Sequence, residues 1–137
     1  MVFTADVGNT NIVLSAYDND TRLFSSRIQT EANKTSDQYA IAFNSILHLN
    51  GISTKGFDGA IISCVVPPLQ TTLRNAVQKL LGCHALIIGP GIKTGLNIKI
   101  DNPAILGSDL VCGAVAAIKK YKPPIIVFDL GTATKIS

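Results

Sequence analysis

The 137 residues are 47% hydrophobic and only 15% charged, with a net charge of +3. That length suits one domain with a real core, and that composition excludes a disordered chain. No apolar run reaches the roughly 18 residues of a membrane span, no Lys/Arg cluster exceeds two adjacent residues, and the start, MVFTADVGNT, lacks a basic and apolar leader. Expected is a cytoplasmic protein that binds neither nucleic acid nor membrane. Cys64, Cys83 and Cys112 lie in apolar contexts without metal-ligand spacing and read as reduced, buried small hydrophobes. His48 and His84 are the only histidines, which leaves a zinc site or a His-based triad little to draw on.

Met1–Val7 reads as a short, β-branched, buried strand ending in Asp6 and a Gly8-Asn9 turn. A second strand runs from Asn11 to Tyr17, and a third from Arg22 to Gln29 after the turn Asp18-Asn19-Asp20. Together they predict an antiparallel meander. Ser36 and Asp37 offer an N-cap for an amphipathic helix that carries Tyr39, Ile41, Ala42, Phe43, Ile46, Leu47 and Leu49 and stops at Gly51. The run Gly59–Val66 reads as a strand buried on both faces and stopped by Pro67-Pro68. Leu69–Leu81 forms a second helix, with Leu69, Leu73, Ala76, Val77, Leu80 and Leu81 inward, and Ala85–Ile88 a short strand. Residues 95–100 suit an edge strand and Pro103 opens a loop. Ser108 or Asp109 caps a third helix that reaches about Tyr121, and Ile125–Asp129 reads as another buried strand. A meander continued by alternating strands and helices predicts an α/β fold with a mixed sheet and flanking helices.

Two segments repeat one pattern, with Asp6 and Asp129 123 residues apart: Phe3-Thr4-Ala5-Asp6-Val7-Gly8-Asn9-Thr10-Asn11-Ile12 and Val127-Phe128-Asp129-Leu130-Gly131-Thr132-Ala133-Thr134-Lys135-Ile136. Each is an apolar strand, then an aspartate, then a glycine turn, then a strand restart. The spacing points to two copies of one domain, with the second copy just begun. The pattern suits phosphate binding. Glycine lets the backbone come close to an anion, turn N–H groups form a concavity for it, and the strand-end aspartate can orient water around a nucleotide-borne metal. A plain hairpin turn explains one copy alone. No GxxxxGK[ST] follows a strand, and no GxGxxG does. Asp109 admits two readings, a helix cap or a general base for a hydroxyl. The strand-end segment from Ser63 to Pro68 is either a strand stop or a cleft edge.

DVGNTNIVL, ISCVVPPL, GPGIKTGLNIKIDNP, LGSDLVCGAVAA and DLGTATKIS resemble type III pantothenate kinase, of the acetate and sugar kinase/Hsp70/actin superfamily, over essentially the whole chain. The resemblance implies a duplicated ribonuclease H-like (actin-like ATPase) fold, with residues 1–121 as the N-terminal domain and 122–137 as the first strand and turn of an incomplete second. It implies ATP-dependent phosphorylation of pantothenate to 4′-phosphopantothenate, the first step of coenzyme A biosynthesis, by a homodimer. Asp6, Val7, Gly8, Asn9, Thr10, Asn11, Ile12 and Val13 match the family's first phosphate loop, and Thr132 its second ATP-phosphate contact. Ile100, Gly107, Ser108, Asp109 and Leu110 match the pantothenate segment, with Asp109 as the base. Asp129 matches the ligand of a monovalent cation (K+ or NH4+), and Mg2+ accompanies ATP.

Some positions depart from the family pattern. Leu110 stands where Gly-x-Asp-Arg has arginine, Ile100 where an aromatic often precedes Asp-Asn-Pro, and Cys64 where serine is common. Leucine supplies none of arginine's fixed donors. Family members are nearly twice as long, so the 137 residues alone are expected to have little or no kinase activity. The alternatives are a non-catalytic accessory or regulatory relative, and another small-molecule kinase of the superfamily.

Overall fold

The computed structural model describes residues 1–102, 106–130 and 134–137. The chain falls into two compact units, Met1–Ile88 and Gly89–Ser137.

The first unit is built on a five-stranded sheet ordered β3-β2-β1-β4-β5. β1 (Val2–Val7), β2 (Asn11–Asp18) and β3 (Thr21–Gln29) form the expected antiparallel meander. β4 (Gly59–Cys64) and β5 (Ala85–Ile87) extend it in parallel beyond β1. Parallel neighbours need a crossover. α1 (Ser36–Leu49) lies between β3 and β4, and α2 (Leu69–Leu81) between β4 and β5. This is the α/β, mixed-sheet arrangement that the strand and helix periodicities predict.

Alternation along β1 decides which face is core. Phe3, Ala5 and Val7 are buried, and the aspartate between the last two is exposed. In register with them lie Ile12, Leu14 and Ala16 of β2 and Ala60, Ile62 and Cys64 of β4, all buried. This face meets Tyr39, Phe43 and Leu47 of α1 and Leu69, Leu73, Ala76 and Val77 of α2 in one apolar cluster. The Phe3 ring lies 5.8 Å from that of Phe43 and 6.1 Å from that of Phe57, while Tyr39 and Phe43 are 5.7 Å apart. These are the offset and edge-on separations that aromatic quadrupoles favour. Tyr39 also keeps its hydroxyl satisfied inside the core. The oxygen accepts from Glu31 N–H at 3.0 Å and donates to the Glu31 carbonyl at 2.9 Å, which pins the β3–α1 loop.

Several expectations need correction. Thr35, not Ser36 or Asp37, caps α1, in a capping box with Gln38: the Thr35 hydroxyl accepts from Gln38 N–H, and Gln38 Oε1 accepts from Thr35 N–H at 2.8 Å. Ile41 and Leu49 of α1 point to solvent, and Ala40 is buried in the inward stripe. β4 ends at Cys64, with Ile61 exposed, so that strand is not buried on both faces. α2 follows the expected stripe and ends at Gly82, whose φ of 68° gives the left-handed stop. Of the three cysteines only Cys64 is buried; burial pushes its thiol pKa up. His48 and His84 are exposed.

The second unit holds α3 (Ser108–Lys120) and a hairpin of β6 (Phe128–Leu130) with β7 (Thr134–Ile136). Reciprocal bonds between Val127 and Ser137, at 2.7 and 3.0 Å, extend the ladder by one residue pair. No strand forms over 95–100. Gly91 and Gly95 take φ of 89° and 79°, and Ile92 N–H donates to Gly89 O, so the chain turns instead of extending. Neither Ser108 nor Asp109 is the N-cap of α3: Gly107 is, without a side-chain bond. The strand expected over Ile125–Asp129 starts only at Phe128, and Phe128, Asp129 and Leu130 are exposed rather than buried. The expected loop at Pro103 lies outside the described residues.

Candidate active site

β1 and β2 are joined by the turn at Gly8–Asn11. Gly8 N–H donates to Asn11 O at 2.9 Å and closes it. The flanking pair Val7–Ile12 is buried, which anchors both strands beneath the turn. Two further bonds come from Thr30, just past β3: its hydroxyl donates to Gly8 O at 2.8 Å, and its N–H to Thr10 O at 2.9 Å. The loop's carbonyls at Gly8, Thr10 and Asn11 are therefore all accepting. Asn9 and Thr10 are exposed, and their own N–H groups donate to nothing among the described residues. A buried amide in this state would be costly, but an exposed one is ready for water or an anion. Gly8 does not have a left-handed φ, so the glycine is not needed for a reversed turn. Its reason is closeness. A β-carbon at Gly8 would stand 3.2 Å from Asn11 O.

Asp6 is exposed, on the sheet face opposite the α1–α2 core, with Val13 and Ser63 as its register partners on either side. Of the other first-loop residues, Asn11 and Val13 are half-buried, while Val7 and Ile12 are core. The sheet thus sorts the segment: Val7 and Ile12 hold it down, and Asp6, Asn9 and Thr10 are open to a ligand.

In the second unit, Asp109 occupies the first turn of α3. Its Oδ1 accepts from Leu110 N–H at 2.9 Å and its Oδ2 pairs with Lys135 Nζ from β7. Partial burial works against the charge. Donation from Lys135 and Leu110, with the attraction of the ammonium, outweighs it and holds the carboxyl below its ordinary range. Gly107 makes room: a β-carbon there would come 2.5 Å from Asp109 Oδ1. Ser108 is buried, Leu110 half-buried, and Ile100 exposed. Asp129 is exposed on β6, and its register partner across the hairpin is Lys135. One lysine therefore links two of the anticipated acids, as the ion-pair partner of Asp109 and the strand partner of Asp129. Thr132 lies outside the described residues.

Two residues of this arrangement are absent from the sequence reading. Lys135 sits within the repeated pattern, but only the hairpin register and the approach to α3 give it a partner. Thr30 carries no motif at all; its part follows from β3 ending beside the β1–β2 turn.

Residues 2–137 match the sequence profile of the family described as Type III pantothenate kinase, and the chain belongs to that family. It is 47% identical over 134 residues to a type III pantothenate kinase of Geobacillus sp. (strain WCH70), covering 98% of this chain and 52% of that protein. Relatives of the same description in Halalkalibacterium halodurans and Exiguobacterium sp. are 46% and 42% identical over 98% of this chain, each covered to 53%. The chain spans about half the length of these relatives. Among solved structures, a Bacteroides thetaiotaomicron protein with actin-like ATPase fold and unknown function aligns at a TM-score of 0.47 and 10% identity, over 64% of this chain and 32% of that one.

Proposed function

We propose that this chain contributes the first phosphate loop and the substrate-activating carboxylate of an ATP-dependent pantothenate kinase, which makes 4′-phosphopantothenate for coenzyme A biosynthesis. The observation that carries the reading is the Gly8–Asn11 turn. Its Gly8, Thr10 and Asn11 carbonyls accept from Thr30 and Gly8, and its Asn9 and Thr10 amides are left for an anion.

In the proposed step, the substrate hydroxyl attacks the γ-phosphorus of ATP. The new O–P bond forms as the bond to the β–γ bridging oxygen breaks, ADP leaves with that electron pair, and the hydroxyl proton passes to Asp109. Such transfers run through a loose transition state, so positioning and charge neutralisation matter more than base strength. A carboxylate held ionised below the ordinary range suits that task. It orients the hydroxyl and takes the proton late. Gly107, Ser108 and Leu110 would shape the pantothenate site around it, with Ile100 at its edge.

Among the described residues, no group of three or more His, Cys, Asp or Glu could hold a metal ion by itself. Magnesium carried by a nucleotide keeps waters and phosphate oxygens and needs only one or two carboxylates, which the exposed Asp6 fits. Bound there, magnesium would neutralise charge on the β- and γ-phosphates. Asp129 is the proposed ligand of a monovalent cation, K+ or NH4+, and Thr132 the second phosphate contact. Residues 1–121 are read as one domain and 122–137 as the opening hairpin of a second copy, in a homodimer. No described helix is long and apolar enough to cross a membrane.

The test is Asp109→Asn in a polypeptide that carries this chain at the length of its relatives. Pantothenate-dependent ADP formation should fall by about 100-fold or more, with ATP binding retained. Unchanged turnover would make Asp109 a structural residue of α3.

A further inference from the structure

We propose that Lys135 is the positioning residue of the transfer site: paired with Asp109 from β7, its ammonium fixes the direction in which that carboxylate meets the substrate hydroxyl. The proposal rests on the kinase reading and extends it to a residue outside the anticipated site.

Each carboxylate oxygen of Asp109 has its own partner. Oδ1 takes the Leu110 N–H and Oδ2 takes Lys135 Nζ. Two bonds in different directions fix the carboxylate plane, whereas one would leave it free to swing. A carboxylate has about four acceptor positions, so lone pairs remain for a hydroxyl. Lys135 in turn is held by its strand. β7 pairs with β6 on both sides of it, through Leu130–Thr134 and Phe128–Ile136. Its side chain is only 36% exposed and that of Asp109 20%, so solvent screens the pair less than a free surface pair.

Among the described residues, Lys135 is the charged side chain set against Asp109. Its neighbours on α3, Ser108 and Leu110, have no acidic or basic side chain, and Lys119 and Lys120 stand at the far end of the helix. Leu110 brings no cation where the resemblance anticipates arginine, so the positive charge beside this carboxylate comes from β7. As a phosphoryl group is transferred to a hydroxyl held by Asp109, negative charge gathers on its oxygens, and an ammonium close by favours that state.

The experiment compares wild type, Lys135→Gln and Lys135→Arg in two ways. A carbon-13 NMR titration of the Asp109 carboxyl in the 137-residue chain should show its pKa rising when Lys135 becomes glutamine and returning toward the wild-type value with arginine. In the polypeptide of relatives' length, Lys135→Gln should lower kcat by about 10- to 100-fold. The acid limb of its pH profile should move to higher pH, KM for ATP should hardly change, and arginine should restore most of the rate. Identical Asp109 titrations in wild type and Lys135→Gln would overturn the proposal. Unchanged kinetics in Lys135→Gln beside an inactive Asp109→Asn would overturn it alone, whereas full activity in Asp109→Asn would overturn the kinase reading with it.

Discussion

At Gly8 a β-carbon would press on the Asn11 carbonyl oxygen at 3.2 Å, the same carbonyl that the Gly8 N–H must reach. Gly8→Ala should therefore loosen the turn and cost about 1 kcal/mol, as mild overpacking does. Urea denaturation would check this, and stability equal to wild type would show that the loop gives way freely. The sequence marks Gly8 as a turn glycine, and its position is legible for that reason. The cause is not legible, because sequence does not distinguish a glycine needed for its φ from one needed for its missing side chain. Asp109 shows the same limit. Its place at the start of a helix can be read from Gly107-Ser108-Asp109, but its partner Lys135 lies 26 residues on. The direction of its pKa shift carries a sign for stability. A lowered folded pKa means that the Lys135 pair stabilises fully above the unfolded value, near about 3.9, and the contribution is lost as pH falls through the folded pKa. Any stability difference between wild type and Lys135→Gln should accordingly be present at neutral pH and vanish in acid.

At the scale of elements, periodicity succeeded where one face is plainly apolar. α2 offers Leu69, Leu73, Ala76 and Val77 at spacings of three and four, and all are buried. α1 is less legible, since apolar residues nearly encircle it. Ile41 and Leu49 look like core, yet the aromatic contacts of Phe43 and Tyr39 set the helix rotation and leave both outside. The cap falls on Thr35 rather than on Ser36 or Asp37: all three are capable caps, and the Gln38 side chain reaching back selects Thr35. Phe43, against both Phe3 and Tyr39, is where the helix is fastened to the sheet. Phe43→Ala should cost about 3–5 kcal/mol, read as a large fall in thermal midpoint. A small fall would mean that the aromatic cluster does not hold α1. The apolar run before Asp129 failed as a buried strand for a related reason. Hydrophobicity says that a segment seeks cover, not that cover is present, and Phe128, Leu130 and Ile136 are exposed on their hairpin.

At the scale of the whole molecule, the β-meander and the parallel extension follow from turn signals and short apolar runs, and the family follows from several motifs in order. The 137 residues first suggest one comfortable domain. The structure instead groups them as Met1–Ile88 and Gly89–Ser137, and the relatives are about twice as long. The proposed phosphate loop belongs to the first unit, and Asp109, Lys135 and Asp129 to the second. The most direct test of the central claim is amide NMR of the 137-residue chain titrated with ATP and magnesium. Binding of phosphate at the β1–β2 turn predicts that the Asn9 and Thr10 amide signals shift together as ATP is added, and that Gly8→Ala weakens the response. Asn9 and Thr10 signals that stay in place, while shifts gather elsewhere or nowhere, would contradict it.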